Sequence, residues 1–193
     1  MTERVMHSTQ AARKRRHFVS LVFLGVAVAV AVVAVAWLLA RSDGTTQAAP
    51  APNTGPALVS RGQLEQLASP AGHPVYWAGP KAGFSYELTS TANGRVFVRY
   101  LPAGVEAGDT RPDFLVVGTY SRAGAFADLK RAATREGAVS VGLDHGGLVV
   151  FAAKGGKSVY FGYPNDKYQV EVFAPSSETA RKLVLSGKIT PIR

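Results

Sequence analysis

The sequence predicts an α+β domain, an antiparallel-rich sheet with two main helices on one face, preceded by one N-terminal transmembrane helix. Three observations carry that expectation. The run from Phe18 to Ala40 holds 23 residues without a charge. Beyond residue 57, short segments alternate apolar and polar residues with period two, and turns rich in Gly, Pro, Asn and Asp join them. Two segments, after Ser121 and after Ser176 or Ser177, instead space their apolar residues for one face of a helix.

At 1.5 Å per residue the first run makes a helix of about 34 Å, enough to cross a hydrocarbon core of about 30 Å. Arg13-Lys14-Arg15-Arg16 precedes it, whereas Arg41 and then Asp43 follow. The positive-inside bias therefore predicts a cytoplasmic N-terminus and an extracytoplasmic C-terminal domain. A cleaved signal peptide has a shorter apolar region, about 7–15 residues, so an uncleaved signal-anchor is the expectation. Residues 1–17 are then a basic cytoplasmic tail, 18–40 the anchor, 41–57 a Pro/Ala-rich linker and 58–193 the extracytoplasmic domain. Seventeen flexible linker residues reach about 23 Å, and more with their prolines.

The chain has 22 Lys and Arg against 13 Asp and Glu, a formal +9. Of this, +4 lies in the tail and +5 in the remainder, so the charge is partly a topology signal and no nucleic-acid partner is implied. The bilayer is the partner of residues 18–40. Cysteine is absent, which excludes disulfides, thiolate metal sites and a thiol nucleophile.

Along the outer domain, Ser60 with Gln63 forms a capping box for a helix to about Ala68. Val75-Tyr76-Trp77 reads as a short strand. Residues 84–91 and 95–101 form a hairpin whose register is arguable. A two-residue Asn93-Gly94 turn pairs Leu88 with Arg99 and mixes the faces. A three-residue loop with Gly94 left-handed pairs Leu88 with Val98, Tyr86 with Tyr100 and Glu87 with Arg99, so the second register is predicted. A polar loop, 102–113, leads to a strand at 114–120. Ser121 is expected to cap a helix to about Glu136, with Phe126, Leu129 and Ala133 inward. Strands follow at 139–143, 148–153, 158–163 and 168–173. Ser176 or Ser177 caps the last helix, Gly187 ends it, and 189–192 is an edge strand.

Chemical motifs are few. Gly155-Gly156-Lys157-Ser158 resembles the end of a phosphate-binding loop, but Phe stands at 151 where that motif needs glycine, and a strand follows, so it reads as a hairpin turn. Asp144-His145-Gly146-Gly147 reads as a tight turn, since His73 and His145 alone are too few for a zinc site. No residue set predicts catalysis, a cofactor or a metal. Glu87 and Glu171 read as solvated strand residues, although together they are the one candidate acid–base pair.

One face of the sheet is expected to collect Leu148, Val150, Ala152, Val159, Phe161, Tyr163, Val170 and Val172 as core. Besides Val149, the other face then carries Phe97, Phe151, Tyr160 and Phe173, interleaved with Arg95 and Arg99. Those six residues are the candidate binding surface, with rings to stack on apolar sugar faces or a partner protein, and arginines as donors. Cover by a second layer is the competing expectation.

Phe114-Leu115-Val116-Val117-Gly118-Thr119-Tyr120, followed by Ala125 and Leu129, resembles the opening of a SPOR domain. Tyr168-Gln169-Val170-Glu171-Val172-Phe173 with Ala180 resembles its second strand–helix unit. The resemblance spans 114–193; it lacks the glycine expected in the second unit, adds a hairpin and leaves 58–113 without a counterpart. It implies a module that binds bacterial cell-wall glycan, often tethered by one membrane helix and a Pro-rich linker. The sequence thus predicts a single-pass envelope protein with a non-catalytic outer domain that binds a wall polymer or an envelope protein. A membrane-tethered envelope hydrolase and a structural subunit of a membrane complex are the alternatives.

Overall fold

Apolar alternation in the strands is satisfied by one large antiparallel sheet, seen in a computed structural model that describes residues 54–68 and 71–192. The expected anchor, the tail and residues 41–53 lie outside the described residues. Among the described residues no helix is long and apolar enough to cross a membrane.

The elements are β1 (Thr54–Val59), α1 (Arg61–Ala68), β2 (Tyr76–Trp77), β3 (Phe84–Ser90), β4 (Arg95–Pro102), β5 (Leu115–Ser121), α2 (Ala125–Ala133), β6 (Ala138–Gly142), β7 (Leu148–Ala152), β8 (Ser158–Gly162), β9 (Tyr168–Phe173), α3 (Ser177–Leu185) and β10 (Thr190–Pro191). Eight strands pair in the order β1-β3-β4-β5-β9-β8-β7-β6, and β2 pairs with β10 separately. Every pairing is antiparallel. The α+β class therefore holds. Residues 54–57, assigned to the linker by the sequence, form most of β1.

The hairpin has the three-residue register. Leu88 faces Val98, Tyr86 faces Tyr100, and Gly94 has φ of 72°. The capping box closes reciprocally, with Ser60 N–H donating to Gln63 Oε1 at 2.9 Å and Gln63 N–H to Ser60 Oγ at 3.3 Å. Ser176 caps α3 by accepting from Thr179 N–H.

The core lies on one face, where Leu88, Val98, Val117, Val159, Phe161, Val170 and Val172 are buried beneath α1, α3 and the β2–β10 pair. Tyrosine hydroxyls tie the cover to the sheet. Tyr100 donates to the Gly79 carbonyl at 2.9 Å and accepts from Ala78 N–H at 2.7 Å, and Thr119 Oγ1 accepts from Tyr76 N–H at 3.0 Å. Burial of such groups is tolerated because each finds a partner.

Two expectations are corrected. The helices do not share a face. α3 places Ala180 and Val184 in the core, whereas α2 lies on the other side, with Leu129 Cδ2 3.8 Å from where a Cβ on Gly162 would sit. Each helix follows the apolar stripe available to it: Val170, Val172 and Phe161 for α3, and Val150 with the bare backbone of Gly162 for α2. The phase of β7 is also reversed. Phe151 pairs with Val159 and Val149 with Phe161, so Val149 and Phe151 are core-side while Leu148, Val150 and Ala152 face α2. Both sides of β7 are covered, so both of its alternating sets are apolar and the pattern alone does not choose between them.

Candidate functional site

The face opposite the core is covered at both ends. On the β3 side, the 103–114 connection folds back over the sheet. Glu87, 1% exposed, accepts from Arg99 at 2.6 Å and from Gly108 N–H at 2.5 Å, and Arg99 also donates to the Asp109 carbonyl at 2.6 Å. The Arg99 guanidinium stands 5.0 Å from the Phe114 ring centre. The pairing of Glu87 with Arg99 has the expected register, but it is buried beneath this loop and not solvated. On the β6 side, α2 covers β7 and β8. Its Asp128 pairs with Arg122 at 2.5 Å and with Arg131.

Between these covers runs a strip built from β4, β5, β9 and β8. Register places Phe97 opposite Gly118, Gly118 opposite Glu171, and Glu171 opposite Tyr160, one row across four strands. Phe173 lies one step along, between Val116 and Ser158. Side chains alternate, so all of these point to the same face. Phe97, Tyr120, Tyr160 and Phe173 are each half-buried. Phe97 meets Tyr120 edge to face, at 5.6 Å and 88°. The guanidinium of Arg95 stands 5.7 Å from the Tyr120 ring centre, and among the described residues it pairs with no carboxylate.

Beneath the rings is a buried carboxylate. Glu171 is 5% exposed and accepts from Ser158 Oγ at 2.6 Å, from Tyr160 OH at 2.9 Å and from Tyr120 OH. Three hydroxyl donors compensate the loss of water around it. Burial, reinforced by the Glu171 charge, raises the Tyr120 and Tyr160 hydroxyls well above the usual tyrosine range. Both phenols stay protonated and donate. The network fixes two rings of the strip from below.

Of the six candidates from the sequence, the structure brings four together: Arg95, Phe97, Tyr160 and Phe173. Arg99 is committed to Glu87 and Asp109. Phe151 stands on the opposite face, with the Arg181 guanidinium 5.4 Å from its ring centre. Sequence reasoning missed Tyr120, Ser158 and Gly118. The signal was present in the alternation Val116, Gly118, Tyr120, but it becomes legible only once β5 is placed between β4 and β9.

Glu87 and Glu171 lie three strand spacings of about 4.8 Å apart and two residues out of row, about 16 Å in all, too far to act on one bond. Among the described residues no three His, Asp or Glu side chains gather as metal ligands. His145 sits exposed in the turn Asp144–Gly146 with φ of 59°. His73 sits within hydrogen-bonding distance of the Gly94 carbonyl, at 2.9 Å, and stacks on Tyr168. On the core side, a cavity of about 330 Å³ opens at the C-terminal end of α3 between Phe161, Val184 and Ile189, with Asp144 and Tyr163 as its ionisable residues.

Comparison with protein-family models, with curated proteins and with solved structures finds no match to this chain.

Proposed function

We propose that the chain is a single-pass bacterial envelope protein, anchored by residues 18–40 with a cytoplasmic N-terminus, whose extracytoplasmic domain binds a wall glycan without chemical turnover. The observation that carries this reading is the strip of half-buried rings, Phe97, Tyr120, Tyr160 and Phe173, with Arg95 beside it. Rings on a rigid sheet offer flat apolar surfaces at low entropic cost, and a guanidinium supplies hydrogen bonds to hydroxyl or carboxylate oxygens. Glycan is also the ligand class implied by the resemblance of 114–193 to SPOR domains. A binder is favoured over a hydrolase by the separation of Glu87 from Glu171 and by the saturation of Glu171 with three donors.

The test is co-sedimentation of the detergent-solubilised full-length chain with purified wall sacculi. Retention that free wall fragments compete away is expected. No retention rejects a wall ligand and leaves an envelope protein as the partner.

A further inference from the structure

The two edges of the eight-stranded sheet are unlike. β1 carries Pro56, and its register with β3 shifts between Thr54 and Ala57. Proline and irregularity both discourage further strand pairing. β6, at the other edge, reads Ala138-Val139-Ser140-Val141-Gly142, without charge or proline. The hydrogen bonds around it fix which groups point outward. Ala153 N–H donates to the Gly137 carbonyl at 2.8 Å, and Leu143 N–H to the Gly147 carbonyl at 2.8 Å. Positions 137, 139, 141 and 143 therefore bond inward to β7, by the two-residue period of an antiparallel ladder. Ala138, Ser140 and Gly142 turn their backbone groups outward. Ala138 N–H is taken by the Arg135 carbonyl at 3.1 Å. The Ala138 carbonyl and both backbone groups of Ser140 and Gly142 face away from the sheet, and no described strand pairs with them.

We propose that β6 is the self-association edge of this protein, pairing antiparallel with β6 of a second copy about a twofold axis at Ser140. The occupant is a second copy because the strand is complementary to itself. With Ser140 opposite Ser140, the two residues exchange a pair of N–H···O bonds. Val139 falls opposite Val141 of the second copy, and Gly142 N–H reaches the carbonyl of Ala138. The paired valines are half-buried in the single chain and lie on the core side, so pairing extends the apolar face across the axis. Ala138 and Gly142 are small and leave the approach open on the other face. Beyond the strand, Gly137 with φ of 75° and the turn at Asp144–Gly146 bend the chain away, which separates Glu136 from Asp144 of the second copy. An isologous contact of this kind closes as a dimer and propagates no further.

The chain has no cysteine, so a single introduced thiol is a clean probe. At a hydrogen-bonded antiparallel pair the Cα atoms stand about 5.5 Å apart, within the span of about 4.4–6.8 Å that a disulfide bridges. Ser140→Cys in the purified full-length chain should give a disulfide-linked dimer on mild oxidation, whereas Ser85→Cys, exposed on β3, should remain monomeric on a denaturing gel. Ser140→Pro removes an outward N–H and breaks no bond to β7. It should abolish cross-linking of native surface lysines between copies while leaving the melting midpoint within a few degrees. Ser140→Lys, which sets like charges opposite each other, serves as a second variant and should do the same. Equal cross-linking at positions 140 and 85, or inter-copy cross-links that persist in Ser140→Lys, would overturn the proposal.

Discussion

The ring of Tyr120 lies across the bare backbone of Gly118. A Cβ at 118 would stand 3.0 Å from Tyr120 Cε2, 3.1 Å from its hydroxyl and 3.2 Å from Phe97 Cδ1. The absent side chain is what lets Tyr120 lean along its strand and bring its hydroxyl to Glu171, the register partner of Gly118. Gly118→Ala is therefore expected to displace both rings and to cost about 1–3 kcal/mol despite the better strand propensity of alanine. Gly55→Ala, at an open strand position without positive φ, is the control and should be neutral or slightly stabilising. Chemical denaturation of the two variants measures the difference.

The tyrosines predict an alkaline limit to stability. Tyr100, Tyr120 and Tyr160 are all shifted upward, each first by burial. A raised folded-state value means that the folded chain keeps the proton longer than the unfolded chain. Their contribution is complete below the unfolded tyrosine value of about 10 and is lost as pH rises above it. Melting midpoints should thus fall as pH rises above about 10. The fall should be shallower in a Tyr120→Phe, Tyr160→Phe double variant, whose stability at neutral pH is lowered by the loss of two donors to Glu171. An unchanged slope would mean that these phenols do not limit the fold.

Arg99 offers a third prediction. Glu87 is buried with one ion-pair partner and one backbone donor, so Arg99→Ala leaves a nearly uncompensated carboxylate. The expected loss is about 3–5 kcal/mol, whereas Glu87→Gln with Arg99→Leu together should lose much less. Urea unfolding of the single and double variants separates these outcomes.

Much of the fold was legible because most strands are apolar on one face and not on the other. Tyr86, Leu88, Val98 and Tyr100 set the hairpin register, and the Ser176-Ser177 pair marked the start of α3, where Ser176 is the cap. Ser121 misled because the sheet continues past it. Arg122 N–H bonds to the Lys167 carbonyl at 2.6 Å, which keeps the chain extended until Gly124, at φ of 74°, opens α2 without a side-chain cap. β7 misled because both of its faces are covered. At the site, Phe97, Tyr160 and Phe173 could be read from alternation, since each stands on a face whose opposite is clearly core. Glu171 could not, because a carboxylate in a strand is ordinarily solvated and its three donors come from two other strands. Phe151 followed β7 to the wrong face.

If the strip binds its ligand through rings that the fold does not need for its core, Phe173→Ala should weaken binding and spare the fold. Binding of the full-length chain to wall sacculi and its unfolding free energy should be measured on the same preparation. The expected affinity loss is about 30-fold, equivalent to about 2 kcal/mol, with a stability loss no greater than about 2 kcal/mol. A stability loss of about 3–5 kcal/mol, as for a fully buried ring, or an affinity equal to that of the unaltered chain, would mean that the strip is not a binding surface.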